Sequence, residues 1–593
     1  MKGFFKQIFA TFFGIVLFCV VAVILGVIAI VQVVATADSD KTVSKNSILV
    51  IKFDKPIEER SEDNLSLVDI INSDETGTIG LDDILDAIKK AKDNDNIKGI
   101  YIDADGMDPE SFAALTAIHR ALKDFKASGK WIISYADTYN AASYYVCSTA
   151  DKILVNPEGE IDWHGLAALG VYYKDALAKI GIKMQVSKVG KYKSAVEAFT
   201  ADGRSDADRE QVTAYVNRIW NSLCEGVSEN RGISVDSLNA MADKMITFAD
   251  AEEYVRLGLA DKLVYKRDVK SEINRIMGLD EDKNLNTIGL AGMATVKGEK
   301  EKGEQIAVYY AYGEILSTES DGLFSGNGHN IIGKDVCKDI EELADDDDVK
   351  AVVLRVNSPG GSAFVSEQIW NALNELKQKK PLVVSMGGYA ASGGYYISSI
   401  ADWIVAEPTT ITGSIGIFGL FQDLSELWTE KIGFKYDCIK TNAHSDFGRP
   451  DRPFNSEEIA MLDTYIERGY DLFKARVAEG RKISADSVEQ IAQGRVWTGD
   501  DALTVGLVDR LGGIDEAITK AAELAEVDEF HTKAYPAKTT WIDMLDIDDA
   551  ADSYIDGRLQ TLLGEHYRPV MLLMSAEKLD PIQARLPYHI IWH

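Results

Sequence analysis

The sequence is poor in cysteine and in positive charge, and each shortage excludes a class of function. Its five cysteines are scattered, odd in number and contain no CxxC pair, which argues against a disulfide framework and a zinc site. The 63 lysines and arginines face 94 aspartates and glutamates, so the net charge is −31, and no candidate domain carries a basic block. Nucleic acid is therefore not an expected partner, because phosphate binding requires a positively charged surface.

Charge is missing altogether from one long run near the N-terminus. Residues 8–35 form an uncharged stretch of 28 residues, whereas a bilayer core needs only about 20 residues in a helix. This run predicts a transmembrane helix. A cleaved secretory signal peptide is the alternative, because residues 35–37 (Ala-Thr-Ala) look like a cleavage site. The apolar segment of a signal peptide extends to only about 15 residues, however, and the observed run is longer.

The charges on either side of this run predict its orientation. Lys2 and Lys6 precede it, and Asp38 and Asp40 follow it. The positive-inside rule therefore leaves a short N-terminal stub in the cytoplasm. We expect everything after about residue 38 to lie on the far side of the membrane.

An internal duplication organises the rest of the chain. The stretch NAASYYVCSTADKILVNPEGEIDWHG begins at Asn140, and the similar stretch AASGGYYISSIADWIVAEPTTITGSIG begins at Ala390. Four pairs of identical residues are 251 positions apart, namely Tyr144 and Tyr395, Asp151 and Asp402, Pro157 and Pro408, and Gly165 and Gly416. Further matches upstream and downstream keep nearly the same spacing. The chain is therefore predicted to contain two copies of one domain of about 250 residues, a period far longer than that of solenoid repeats.

Each copy alternates apolar strands with amphipathic helices, which predicts an α/β fold with a largely parallel sheet covered by helices. Two sets of apolar residues at helical spacing mark one helix in each copy: Leu115, Ile118, Leu122 and Phe125, and Val365, Ile369, Leu373 and Leu376. The predicted organisation is a stub and anchor at 1–37, a first domain at 38–277, a linker at 278–304, a second domain at 305–530 and a helical tail at 531–593.

Comparing the two copies singles out one serine. Ser392 lies in YAASGGYY, and the position 251 residues earlier is Ala141, which has no hydroxyl. The glycines at 360–361 in SPGGS correspond to Pro109 and Glu110, so the first copy lacks both the serine and the glycine pair. The absence of both features from the first copy favours the interpretation that they act together. In that case the serine attacks while a glycine N–H binds the developing oxyanion. The alternative is that both loops drifted independently and that the serine only shapes a turn.

A reactive serine needs a base, and the residue types alone do not identify one. None of the eight histidines lies in a recognisable triad context. A neutral lysine could take the role if desolvation lowers its pKa from about 10.4 toward neutrality. With 63 basic residues in the chain, composition does not choose among the candidates.

The motifs together resemble the long, tandem-domain form of the signal peptide peptidase A family, which comprises membrane-anchored serine proteases with the Clp-protease/crotonase fold. The resemblance rests on SPGGS at 358–362, YAASGGYY some thirty residues later, VGKYKSAVEAF at 189–199 and the N-terminal anchor. It implies that Ser392 is the nucleophile and that Lys193 is the general base. It also implies that Gly361 and Gly393 supply the oxyanion N–H groups. Two neighbouring lysines, Lys188 and Lys191, match the family position less well.

The same resemblance carries expectations about substrate, assembly and location. It implies an endopeptidase that degrades cleaved signal peptides without a cofactor or metal, and a homotetramer anchored by a single helix in the bacterial cytoplasmic membrane. The catalytic domains would then lie on the periplasmic side. Two other functions remain open at this point. One is a crotonase-type acyl-CoA enzyme, because that superfamily shares the fold, and the other is a non-catalytic assembly module.

Overall fold

The computed structural model describes residues 42–61, 78–296, 302–318, 329–538 and 582–585. The predicted transmembrane run at 8–35 lies outside these residues. Within the described parts of the chain, no helix combines the length and the apolar character needed to cross a bilayer.

Strands and helices alternate along the first copy. Its described strands are β1 (Ser47–Lys52), β2 (Pro56–Glu58), β3 (Ile79–Gly80), β4 (Ile97–Asp103), β5 (Asp108–Pro109), β6 (Trp131–Tyr139), β7 (Lys152–Ile161), β8 (Lys183–Lys188), β9 (Lys262–Leu263) and β10 (Asn286–Gly289). Its described α-helices are α1 (Leu81–Asp93), α2 (Phe112–Ala127), α3 (Ala141–Cys147), α4 (Lys174–Lys179), α5 (Glu197–Thr200), α6 (Asp206–Arg231), α7 (Val235–Asp243), α8 (Ala251–Arg256), α9 (Val269–Ile276) and α10 (Leu290–Ala294).

The second copy repeats this alternation. Its described strands are β11 (Glu304–Tyr312), β12 (Glu314–Leu316), β13 (Asn330–Ile332), β14 (Val349–Ser358), β15 (Gly360–Ser362), β16 (Leu382–Ala391), β17 (Trp403–Ala406), β18 (Ile411–Gly413), β19 (Phe418–Asp423), β20 (Val496–Thr498), β21 (Arg510–Leu511), β22 (Phe530–Tyr535) and β23 (Ile582–Arg585). Its described α-helices are α11 (Gly333–Asp345), α12 (Ala363–Lys377), α13 (Gly393–Ser398), α14 (Ser456–Arg481), α15 (Ala485–Ile491), α16 (Gly499–Thr504) and α17 (Ile514–Leu524).

Each copy builds its own sheet. In the first, the strands run in the order β10-β1-β4-β6-β7-β9, and all neighbouring pairs are parallel. In the second, the order is β20-β18-β16-β14-β11-β22, with β17 beside β16, and the edge pair of β18 and β20 is antiparallel. The predicted α/β fold with largely parallel sheets is confirmed. Central strands such as β14 are buried along their length, which explains the apolar run AVVLRV.

The predicted helix faces pack into the cores. The apolar residues singled out from the sequence all become buried: Leu115, Ile118, Leu122, Phe125, Val365, Ile369, Leu373 and Leu376. The first set lies in a cluster formed mainly by the first copy, and the second set lies in a separate cluster formed by the second copy. Each copy therefore has a hydrophobic core of its own.

A third sheet takes strands from both copies. Its order is β13-β12-β15-β23-β19-β8, and β8 of the first copy pairs antiparallel with β19 of the second. In this pairing Lys188 lies opposite Phe418. The chain that follows β8 is thereby held against the second copy.

Ion pairs with buried carboxylates also join the two copies. The Nε of Arg355 donates to Oε1 of Glu59 at 2.6 Å, and each side chain is only 5% exposed. The guanidinium of Arg120 forms two hydrogen bonds with the buried carboxylate of Glu407. Breaking a buried pair leaves an uncompensated charge at high cost, so these contacts fix how the copies sit against each other.

Two stretches differ from the secondary structure predicted for them. The stretch 278–304, predicted as a linker, contains β10, which joins the first sheet beside β1, and the short helix α10. The tail from residue 531, predicted to be helical, contributes most of β22 and all of β23. These strands are short and partly exposed and find their partners far away in the sequence, so no local apolar pattern marks them.

Candidate active site

Two loops from different copies meet at Ser392 and Lys193. The Nζ of Lys193 lies 2.7 Å from Oγ of Ser392, although the two residues are 199 positions apart. Ser392 is 0% exposed and Lys193 is 1% exposed. Only the family resemblance predicted that these two residues lie together. In the structure they are within hydrogen-bonding distance.

The surroundings of Lys193 favour its neutral form. Burial lowers the pKa of its ammonium group well below the usual value, because desolvation penalises the charge. The Nζ also lies 3.0 Å from Oγ and 3.2 Å from the carbonyl oxygen of Ser414. No carboxylate is among the described hydrogen-bond partners of this amine, so no opposite charge among them offsets the desolvation. A neutral amine in this position can accept a proton from the Ser392 hydroxyl.

Ser392 occupies a sharp turn between β16 and α13. Its φ of 55° and ψ of −111° are unusual for a residue with a side chain, and such strain often occurs at functional sites. The turn is held by the Ser392 N–H, which donates to the carbonyl oxygen of Gly413 at 2.8 Å. The residue in front of the matching helix α3 in the first copy is Asn140, which caps that helix. By its place before the helix the counterpart of Ser392 is Asn140, one residue before the Ala141 predicted from the offset of 251, and neither side chain has a hydroxyl.

The glycine loop of SPGGS packs against the glycine that follows Ser392. Gly393 is the first residue of α13, so its N–H has no partner within the helix. The N–H of Gly360 donates to Oγ of Ser358 at 3.1 Å. Gly361, the donor implied by the family resemblance, lies in β15 opposite Ile315 of β12 and Ala584 of β23. A Cβ on Gly360 would lie 2.8 Å from the nitrogen of Gly393, so the two loops touch and a larger residue would separate them.

Ser414 was not predicted from the sequence as a site residue, although comparison of the two copies could have identified it. It contacts Lys193 and has a φ of 51°, another strained position. The residue 251 positions earlier is Trp163, so the first copy lacks this hydroxyl as well as that of Ser392. The same subtraction that singled out Ser392 would have found Ser414.

Glycines let the two copies approach each other around Lys193. Gly494 has a φ of 75°, and a Cβ there would lie 2.6 Å from the Cβ of Lys193. Gly190 has a φ of 95°, and a Cβ there would lie 2.4 Å from backbone atoms of Gln493. The glycine of the VGKYK motif is thus needed for close contact between the copies, and so is Gly494.

The other candidate bases lie elsewhere. Lys188 and Lys191 are both exposed. The amine of Lys188 donates to the carbonyl oxygen of Lys193, and that of Lys191 lies 4.6 Å from the ring centre of Tyr192. Among the described histidines, none bonds with Ser392; His119, for example, stacks on Tyr145. Neither lysine therefore competes with Lys193 for the serine.

Two family models match the chain. The model described as peptidase family S49 matches residues 124–280 and 374–528, one segment in each copy. The model described as Clp protease matches residues 304–403, which contain the SPGGS loop and Ser392.

Curated relatives cover most of the chain. "Protease 4" of Salmonella typhi is 38% identical over 481 residues, which are 80% of this chain and 76% of that protein. "Protease 4" of Haemophilus influenzae is 37% identical over 459 residues, 74% of this chain and 72% of that one. "Serine protease SPPA, chloroplastic" of Arabidopsis thaliana is 30% identical over 443 residues, 74% of this chain and 64% of that protein.

Proposed function

Because the chain belongs to peptidase family S49 and is a serine protease of the signal peptide peptidase type, we propose that Ser392 and Lys193 form its catalytic dyad. The observation that carries this proposal is the distance of 2.7 Å between the buried Lys193 amine and the Ser392 hydroxyl. An acyl-CoA enzyme and a non-catalytic module, the alternatives considered from the sequence, do not agree with membership of a peptidase family.

The first half of the reaction forms an acyl-enzyme. Neutral Lys193 takes the proton of the Ser392 hydroxyl as Oγ attacks the carbonyl carbon of the peptide substrate. The N–H groups of Gly361 and Gly393 stabilise the negative oxygen of the tetrahedral intermediate. Protonated Lys193 then gives its proton to the leaving amine, and the peptide C–N bond breaks.

The second half releases the product. Water attacks the ester while Lys193 again accepts a proton, and the acid product leaves as Ser392 recovers its hydrogen. Ser414 contacts the same amine through its hydroxyl and its carbonyl oxygen and so helps to position it. This chemistry requires no metal and no cofactor.

The division of the dyad between the copies explains why the altered first copy is retained. It supplies the base, and β8 carries that base to the second copy by pairing with β19. We therefore propose that 38–277 and 305–530 act as one catalytic unit, although each has its own core. Neither copy would be active alone.

The location and assembly are part of the same proposal. The uncharged run at 8–35, with lysines before it and aspartates after it, supports a single membrane anchor with the catalytic domains on the periplasmic side of the bacterial cytoplasmic membrane. The homotetramer is proposed from the family resemblance alone. Exposed apolar side chains on the segment after β19 are candidates for contacts with another copy, because exposed apolar surface commonly marks an interaction site. They include Phe434, Tyr436 and Ile439.

Cleaved signal peptides are the proposed substrates. Ser392 is completely buried, so only an extended, unfolded chain can present a peptide bond to it. We expect the purified full chain in detergent micelles to hydrolyse a synthetic signal peptide with an apolar run of about 10 residues and to leave folded globular proteins intact. Fragments would be identified by mass spectrometry. Degradation of folded proteins at a similar rate, or an absence of signal peptide hydrolysis, would count against this substrate class.

Substitution of Gly494 by alanine is expected to lower kcat/KM by about 100-fold, because the new methyl group displaces Lys193 and small misplacements of catalytic groups cost this much. The matched control is Gly506→Ala. Gly506 has a similar φ of 81°, but a Cβ there meets no atom within 4 Å, so this variant carries the backbone strain without the contact. Equal peptidase rates for the two variants would contradict the expectation.

A further inference from the structure

A buried glutamine holds the base loop, residues 192–194, which carries Lys193. Gln211 lies on helix α6 and is 1% exposed. Its side-chain amide donates to the carbonyl oxygen of Tyr192 and to Oγ of Ser194, both at 3.1 Å. Because these two residues flank Lys193 in the sequence, Gln211 holds the base loop on both sides of the lysine.

A buried carboxylate on the same helix completes this network. Oδ1 of Asp208 accepts from the Ser194 hydroxyl at 2.6 Å and from the Gln211 amide at 3.1 Å. Oδ2 of Asp208 accepts from the guanidinium of Arg204, also at 2.6 Å. Buried polar groups that are joined in a connected network rigidify the elements that carry them. The base loop is therefore fixed to helix α6.

The other end of the Gln211 side chain contacts the second copy. Its Oε1 accepts from the Val496 N–H at 3.1 Å, at the start of β20. In the pairing of β18 with β20, Gly413 lies opposite Val496, and the carbonyl oxygen of Gly413 accepts the N–H of Ser392 at 2.8 Å. One side-chain amide therefore links the loop that bears the base to the strands that hold the turn of the serine.

Proton transfer from Ser392 to Lys193 depends on the position of the base loop. A general base has to lie about 2.6–3.2 Å from the atom that carries the proton, and the distance from Nζ to Oγ is 2.7 Å. Without the Gln211 amide, the Tyr192 carbonyl and the Val496 N–H lose this partner, and the base loop is freer to move away from the second copy. Water can then approach Lys193, and hydration raises its pKa toward the usual value.

We propose that Gln211 is a positioning residue for the general base, which joins the base loop to β20 and so sets the distance between Lys193 and Ser392. The proposal deepens the function proposed above and rests on the catalytic dyad. None of the described hydrogen bonds of the Lys193 amine involves Gln211, so this residue acts through the loop and not on the reacting atoms. Helix α6 of the first copy thereby has a part in the reaction.

The charges around the base loop are separate from Gln211. Charged side chains of the described residues contact the loop or its network from several sides: Lys188, Arg204, Asp208, Glu210 and Arg495. Substitution of Gln211 by an uncharged residue leaves all of them in place. A change in the pH profile of such a variant therefore reports on the surroundings of the Lys193 amine.

Enzyme kinetics of Gln211→Met in the full chain test this proposal, because methionine has a similar length and forms none of these hydrogen bonds. We expect kcat at neutral pH to fall about 30-fold while KM stays within about twofold of the wild-type value, since only the base is misplaced. Labelling by a fluorophosphonate should slow by a similar factor. The fall in rate at low pH should move to a higher pH by about one unit, because a more hydrated Lys193 has a higher pKa.

Asn274→Leu is the matched control for a loss of buried hydrogen bonds. Asn274 is 0% exposed, and its amide donates to the carbonyl oxygens of Glu281 and Lys283, both at 2.9 Å. None of its described hydrogen bonds involves the base loop. The melting temperature of this variant should fall as that of Gln211→Met does. Its kcat should stay within about twofold of the wild-type value, and its pH profile should not move.

A second variant decides the question if Gln211→Met does not fold. Ser194→Ala removes only the hydroxyl between Gln211 and Asp208, so we expect the same changes at a smaller size, with kcat lowered about fivefold. The proposal is overturned if the folded variants keep the wild-type kcat and pH profile, or if their rates fall only in proportion to the unfolded fraction. Wild-type activity of Lys193→Met would instead refute the dyad, so the two failures can be distinguished.

Discussion

The variant Ser392→Ala is expected to hydrolyse peptides about 10⁶-fold more slowly than the wild-type chain, because the loss of a serine nucleophile has an effect of this size in serine proteases. The change removes one oxygen atom at a completely buried position and leaves the Ser392 backbone in place. The melting temperature should therefore stay within about 2 °C of the wild-type value. Initial rates with a fluorogenic peptide, measured over a range of enzyme concentrations, provide the comparison.

A second buried serine supplies the control for this experiment. Ser398 lies at the end of the same helix, α13, and its hydroxyl donates to the carbonyl oxygen of Gly394 at 2.6 Å, within the helix. We expect Ser398→Ala to keep its activity within about threefold of wild type. The assignment of the nucleophile fails if Ser392→Ala retains more than about 1% of the wild-type rate while remaining folded.

The variant Lys193→Met is expected to lower the rate about 10⁴-fold at neutral pH, because methionine fills a similar volume and cannot accept a proton. Lys191→Met is the matched control, since Lys191 lies two residues away with its side chain exposed, and its rate should change by less than about threefold. In the wild-type chain, the rate should fall as the pH drops through the lowered pKa of Lys193, because the protonated amine is no longer a base. We expect this fall in rate at low pH in the wild-type chain and not in Lys193→Met. A wild-type rate that does not fall at low pH, or a fall that persists in Lys193→Met, would contradict this role.

The same substitution should stabilise the protein. Lys193 is charged in the unfolded chain below a pH of about 10.4 and is neutral in the fold, because burial lowers its pKa. Between these two pKa values the unfolded state binds one more proton, so the stability of the wild-type chain rises with pH in this window. Methionine removes that dependence. The melting temperature of Lys193→Met should therefore exceed that of wild type at neutral pH, and the difference should shrink toward pH 10.4.

The parts of the fold that could be predicted are those set by local patterns. The buried faces of α2 and α12 follow from apolar spacing, and the apolar runs of the central strands follow from burial on both sides. Short strands such as β8 and β23 carry no such signal. They form because distant strands offer them hydrogen-bonding edges, and a sequence does not show where those edges lie.

Some residues of the candidate site could likewise be predicted from the sequence and others could not. Ser392 could be found because the two copies differ at that position, and Ser414 could have been found by the same comparison. Lys193 could not be found in this way, because the sequence around it is typical of an exposed strand. The feature that supports its proposed role as the base is desolvation by the second copy, including the approach of Gly416 and Gly494, and this is a property of the assembled structure. The family resemblance supplied it instead.

Labelling with a fluorophosphonate, followed by mass spectrometry of the digested protein, tests the proposed dyad most directly. The reagent reacts with a serine whose hydroxyl is activated by a neighbouring base. We expect a single modified residue, Ser392, in the wild-type chain, and labelling at least about 100-fold slower in Lys193→Met. Modification of a different serine, or labelling of Lys193→Met at the wild-type rate, would contradict it.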